Sequence, residues 1–230
     1  MRDEIRTGFS LLHPSSLIPH PSSHPSPSAI LLAAGRSRRM GAFKPLLPFG
    51  ERSVAEACVE NLLAGGAGEV VVVVGHRGDE VRRKLSRLPV RFAVNEDASS
   101  EMGASIARGV EQLSPEAEAI FIALVDQPAV PPEIIGLLNA AAVRTGSRLV
   151  VPEYQGRGGH PVWIDLSFRE ELLNLDPERG LRALFDTHRE EVLRVPVASP
   201  YVARDMDRWD DYVALHREVF GTEPPVSGGQ

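Results

Sequence analysis

The chain has 230 residues, 43% apolar and 24% charged, with a formal net charge of −6. That is an ordinary composition for a soluble protein, long enough for one α/β domain with a full core. The longest strongly apolar run, Val70 to Val74, is far short of a membrane span, and the acidic balance disfavours nucleic acid as a partner. Cys58 is the only cysteine, which excludes an intrachain disulfide and fits a cytoplasmic location.

Residues 1–28 are rich in Ser, Pro and His, with His-Pro-Ser-Ser starting at His13 and again at His20, and His24-Pro25-Ser26 following. Such a segment cannot bury a core and reads as a disordered, low-complexity extension, a translated upstream repeat or a misplaced start. It lacks the continuous apolar stretch of a secretory signal. Residues 29–221 read as a single domain and 222–230 as a flexible tail.

Ala29 to Ala34 is an apolar run ending in glycine, the pattern of a buried strand. A polar loop extends from Gly35 to about Phe49, and Ser53 caps a helix that Gly65-Gly66 ends. Five consecutive valines, Val70 to Val74, mark a strand covered on both faces. An amphipathic helix over 77–87, a strand at 90–94, a helix over 101–113 and a strand at 119–125 follow. Pro131-Pro132 opens a helix to about Val143. Strands at 149–152 and 160–164 flank a Gly-rich hairpin. Short helices at 168–174 and 180–187, a strand at 191–196 and a helix over 207–219 complete the chain. The alternation from 29 to 143 predicts an α/β fold, a mostly parallel Rossmann-like sheet between two helical layers. Ligands of such sheets bind beyond the carboxyl ends of the strands, where strand order switches.

The loop after the first strand reads Leu32-Ala33-Ala34-Gly35-Arg36-Ser37-Arg38-Arg39-Met40-Gly41-Ala42-Phe43-Lys44-Pro45-Leu46-Leu47-Pro48. Small residues let backbone N–H groups approach a triphosphate, and Arg36, Arg38, Arg39 and Lys44 concentrate positive charge in an acidic protein. By composition alone the loop is equally a solvated basic turn. It is neither a Walker loop nor Gly-x-Gly-x-x-Gly.

Over these seventeen residues the loop resembles the signature of the MobA-like NTP transferases, and within them the molybdenum cofactor cytidylyltransferases. The resemblance implies a nucleotide-diphospho-sugar transferase type of fold. It implies that the loop wraps a triphosphate, with Leu32, Ala33, Ala34, Gly35, Ser37, Arg39, Gly41 and Lys44 in the nucleotide site and Arg39 and Lys44 as the catalytic cations. Ala34 stands where guanylyl-transferring relatives usually have glycine, which points to CTP.

Val125-Asp126-Gln127-Pro128 resembles the family's Gly-Asp-Gln-Pro, whose aspartate binds catalytic Mg²⁺. By the residues alone Asp126 is equally a turn former. Mg²⁺ takes few protein carboxylates, and water and phosphate oxygens complete its shell. The segment Asn95 to Val110 resembles the stretch flanking the nucleotide, with Asn95 and Ser105 matching and Ala98 and Glu101 departing. Gly156 to Val162 resembles the hairpin near the acceptor. It implies acceptor contacts by Gln127, Gly159 and His160, the last for positioning, since an ionised phosphate nucleophile needs no general base. Asp205-Met206-Asp207 through Tyr212 matches a further segment. There Asp207 either joins Asp126 on the metal or caps the last helix.

The implied reaction is in-line attack by an acceptor phosphate oxygen on the α-phosphorus of CTP, releasing pyrophosphate. The implied acceptor is a phosphorylated pterin, molybdenum-bearing molybdopterin, and the implied partners are a receiving molybdoenzyme or its chaperone. Three alternatives stand beside it. One is a guanylyl or sugar- or polyol-phosphate nucleotidyltransferase of the same fold. Another is a nicotinamide-dependent oxidoreductase, disfavoured because no second and third glycine follow Gly75 at the required spacing. The third is a non-catalytic nucleotide-binding or cofactor-delivery protein.

Overall fold

A computed structural model describes residues 26–37, 39–97 and 102–225. The expectations for residues 1–25 and 226–230, and for Arg38, Ala98 and Glu101, lie outside the described residues. β1 (Ser28–Ala33) is followed by a 3-10 turn at Lys44–Leu46 and a small hairpin of β2 (Pro48–Phe49) and β3 (Arg52–Ser53). Then come α1 (Val54–Ala64), β4 (Glu69–Val74), α2 (Gly78–Lys84), β5 (Val90–Val94), α3 (Met102–Glu111) and β6 (Ala119–Leu124). α4 (Pro132–Thr145), β7 (Leu149–Tyr154), β8 (Arg157–Gly158), β9 (Val162–Asp165), α5 (Arg169–Leu173), α6 (Leu181–Thr187), β10 (Val192–Pro196) and α7 (Trp209–Phe220) complete the order.

The strands form one sheet in the order β10-β7-β9-β6-β1-β4-β5, with β8 on β7. β1 pairs in parallel with β4 and β6, and β4 with β5, while β9 runs antiparallel between β6 and β7. The chain moves outward from β1 to β4 and β5, then returns to place β6 on β1's other side. The strand order therefore switches at β1, between the carboxyl ends of β1 and β6, where such a sheet has its natural ligand crevice.

Two apolar layers flank the sheet. Val70, Val72 and Val74 point to the layer that also holds Val54, Cys58 and Leu62 of α1, Ile135 and Leu138 of α4 and Tyr212 of α7. Val71 and Val73 point to the opposite layer with Ile106 and Val110 of α3, Leu172 and Leu184. Each buried valine is worth roughly 1.5–3 kcal/mol relative to exposure, and the alternation serves both faces equally. The three-layer α/β/α architecture follows from that strand.

The cap predicted at Ser53 closes in both directions. Glu56 N donates to Ser53 Oγ at 3.3 Å and Ser53 N donates to Glu56 Oε2 at 2.6 Å. This reciprocal box fixes where α1 starts. Ser53→Ala is expected to lower stability by about 1 kcal/mol, read as an earlier midpoint in urea at unchanged slope; an unchanged midpoint would remove the box from the stability account.

Several boundaries differ from the sequence reading. Ser28 belongs to the domain, because it pairs with Glu69 in register and its hydroxyl donates to Glu69 Oε2 at 2.9 Å. The strand expected from His160 starts at Val162, because His160 N is engaged by Val202 O at 2.8 Å instead of by the sheet. The last helix starts at Trp209, because Asp211 Oδ2 accepts from Asp207 N at 3.2 Å and Arg208 N at 2.8 Å, capping the helix there. Among the described residues no helix is long and apolar enough to cross a membrane.

Candidate active site

Beyond the carboxyl ends of β1 and β6 lies a cleft of about 380 Å³, within the usual range of ligand clefts. Leu32, Ala34, Gly35 and Ser37 of the first loop form one side, and Asn95 and Ser105 form another. Lys44 and Asp126 close its inner end. Eight of the residues expected around a nucleotide are thus brought together. Arg36, Asp97 and Met102 also line the cleft, although they were not among the residues expected in the nucleotide site. Ala33, expected among them, is 1% exposed and lies in the core layer beneath α1. Gly41 and Arg39 are exposed and are not part of the cleft lining.

The loop is held by its own side chains. Ser37 has a left-handed backbone (φ 52°), and its hydroxyl accepts from Lys44 N at 3.1 Å. That bond seats the 3-10 turn, so the Lys44 stem is buried, with only 8% of the residue exposed. Gly75, at the end of β4, has no room for a side chain. An added Cβ would stand 2.8 Å from Asn95 O and 3.0 Å from Ala34 O. Its place is explained by close approach of three backbone segments, not by a phosphate turn.

Lys44 Nζ donates to Asp126 Oδ2 at 3.2 Å and to Asp207 Oδ1 at 2.8 Å. Asp207 Oδ2 also receives Arg39 Nη1 at 2.8 Å. Two carboxylates from loops 82 and 163 residues away from the lysine thus meet on one ammonium. Asp207 does not cap the last helix: its carboxylate turns to Lys44, and Asp211 supplies the cap. Asp126 Oδ1 is buried and has no hydrogen-bond partner. Burial pushes the Asp126 carboxyl above its ordinary value; Lys44 opposes that, and the charges of Asp205 and Asp207 add to it. The bond from Lys44 holds Asp207 below its ordinary value. Adjacent carboxylates with opposite shifts are a mark of functional sites.

Among the described residues no group of three or more His, Cys, Asp or Glu could hold a metal by itself. Asp126 and Asp207, with one orphaned buried oxygen, instead suit a hard divalent ion that draws its other ligands from phosphate and water.

On the other side of β6, Gln127 is buried and donates from Nε2 to Asp205 Oδ1 at 2.8 Å. His160 is half-buried, and burial pushes its imidazole below the ordinary value. Gly159 lies against Val202: an added Cβ would stand 1.9 Å from Val202 O, so only glycine fits. Cys58 lies beneath Val125 with its thiol buried and its pKa pushed up, the state of an unreactive thiol.

The MobA-like NTP transferase domain matches residues 29–192. Nicotine blue oxidoreductase of Paenarthrobacter nicotinovorans is 36% identical over 63% of the chain and 74% of its own length. The molybdenum cofactor cytidylyltransferase of Escherichia coli is 23% identical over 80% of the chain and 92% of its length. A probable molybdenum cofactor guanylyltransferase of Methanosarcina mazei is 32% identical over 59% and 61%. The chain spans only 26% of a bifunctional IPC transferase and DIPP synthase of Rubrobacter xylanophilus, to which 48% of the chain is 40% identical. Among solved structures, a nucleotidyl transferase from Methanothermobacter superposes with a TM-score of 0.75 and 27% identity over 86% of this chain and 99% of its own. A Mycobacterium tuberculosis protein crystallised with manganese gives 0.70 and 27% over 84% and 98%.

Proposed function

The chain belongs to the MobA-like NTP transferase family, and on that premise we propose that it transfers CMP from CTP to the phosphate of molybdenum-bearing molybdopterin, releasing pyrophosphate. The observation that carries the transfer is the meeting of Asp126 and Asp207 on the Lys44 ammonium, where Lys44 and Asp126 line the cleft. The cytidylyl choice draws on Ala34, which lines the cleft; the likeness to known proteins extends to cytidylyl- and guanylyltransferases alike.

Backbone N–H groups of the Ala34–Gly35 turn cradle the triphosphate. Lys44 and Arg39 neutralise charge that grows on the α-phosphate and on departing pyrophosphate. Asn95 and Ser105, joined by a 2.8 Å hydrogen bond, form the wall against the nucleoside. Asp126 and Asp207 would hold Mg²⁺, which would supply neutralisation of the phosphate charge. The acceptor enters past Gly159 and His160, where a neutral imidazole orients its phosphate. Catalysis is then positioning and electrostatics, with no protein nucleophile.

A panel of four nucleotides with a molybdopterin preparation tests this. Pyrophosphate release and a cytosine dinucleotide mass are expected with CTP; use of GTP without CTP would overturn the cytidylyl reading. Likeness to nicotine blue oxidoreductase favours a second reading, an oxidoreductase. A Lys-Asp-Asp cluster built for a metal–triphosphate has no task there. Oxidation of a nicotinamide cofactor without pyrophosphate release would install that reading instead.

A further inference from the structure

We infer that Gln127 is a positioning residue: through Asp205 it holds Asp207 where a divalent ion would bind. The inference rests on the metal role given above to Asp126 and Asp207.

Asp207 lies in residues 204–208, between a 3-10 turn at Pro200–Ala203 and the start of α7. No strand or helix fixes this stretch. Two hydrogen bonds fasten it to the segment after β6. Met206 N donates to Asp126 O at 3.0 Å, and Gln127 Nε2 donates to Asp205 Oδ1 at 2.8 Å. Met206 itself is 1% exposed, so its side chain plugs the core directly beneath. The two carboxylates that share Lys44 are therefore positioned by neighbouring residues that bond to each other: Asp126 is followed by Gln127, and Asp207 is preceded by Asp205 and Met206.

The amide orientation is set by chemistry. Gln127 is only 7% exposed, and its Oε1 is buried without a hydrogen-bond partner. Turning the amide over would place that oxygen against the Asp205 carboxylate, a repulsive contact. Gln127 thus leaves an acceptor unsatisfied in order to donate to Asp205, a choice that fold stability alone does not favour. Groups that orient metal ligands commonly change metal affinity 10–100-fold when removed.

The test is Mn²⁺ affinity of the full chain by electron paramagnetic resonance, paired with a melting curve for each variant. Gln127→Leu keeps the bulk, removes the orphaned oxygen and cuts the tie. It is expected to weaken Mn²⁺ binding about tenfold or more with Tm unchanged or raised. Gln127→Glu should also weaken binding, by setting two carboxylates against each other. Adding Asp205→Asn to Gln127→Glu reverses the direction of the hydrogen bond and is expected to restore affinity. Wild-type Mn²⁺ affinity in Gln127→Leu, or a double variant no better than Gln127→Glu, would overturn the inference. Asp126→Asn is the control for the premise: if it too leaves Mn²⁺ affinity untouched, the metal site itself is wrong and the inference falls with it.

Discussion

Lys44→Met is expected to cut turnover severely and yet tighten the binding of free Mn²⁺ to the nucleotide-free chain. The two effects have one cause. In the free chain the Lys44 ammonium touches Asp126 and Asp207 together, so it occupies the negative focus that a cation would seek. Its side chain is 10% exposed and the carboxylates are 22% and 30% exposed, so solvent screens this contact less than a surface pair. Metal arriving alone must displace that ammonium. Metal arriving with a triphosphate need not, because phosphate gives the ammonium a new anion. Methionine keeps the stem packed beside the loop and removes the competing charge. Turnover should fall about 10²–10³-fold, the usual loss for one charge-stabilising donor, while the Mn²⁺ dissociation constant drops roughly tenfold, about 1.4 kcal/mol. Resonance titration and pyrophosphate release on the same sample decide it. Weaker free Mn²⁺ binding in Lys44→Met would show that lysine assists the site instead of competing for it.

That coupling was only half visible in sequence. Lys44 and Asp126 lie in the loops that follow β1 and β6, where open α/β sheets carry chemistry, but it was the family resemblance that singled them out. The fold was legible for similarly local reasons. The run Val70 to Val74, the Ser53 cap and the glycines after Ala64 each act within one turn or one strand, and the alternation of elements does the rest. Asp207 was different: whether its carboxylate faces the next helix turn or a lysine 163 residues away is settled by tertiary geometry. The same holds for Gln127, expected at the acceptor and found bonded to Asp205. The 3-10 turn that seats Lys44 has no periodic pattern to betray it, being held by one serine hydroxyl. Ala33 misled in the opposite way. Its motif was right, but strand alternation sends its side chain into the core while Leu32 and Ala34 line the cleft.

Asp126→Asn should melt higher than the wild-type chain at neutral pH without metal, and lower once Mn²⁺ is added. Burial is the main force raising the Asp126 carboxyl, and Asp205 and Asp207 add like charge. A carboxyl whose folded pKa lies above its unfolded value favours the fold while protonated. That advantage is complete below the unfolded value, near 3.8, and is lost as pH rises through the folded value. At neutral pH the wild-type chain therefore carries a penalised carboxylate, which asparagine removes while Asp207 still pairs with Lys44. Relief of a strained functional site is commonly worth about 0.5–2 kcal/mol, or a few degrees of Tm for a chain this long. The gap between the two proteins should shrink as pH falls toward the ordinary carboxylate range. Metal reverses the ranking, because ligand at a hundred times its dissociation constant adds about 2.7 kcal/mol to whichever protein binds it. A metal-free Asp126→Asn chain that melts below wild type would mean that the Lys44 contact outweighs desolvation. The two carboxylates would then form a structural ion-pair cluster with Lys44, with no reason to expect a metal ion in its place.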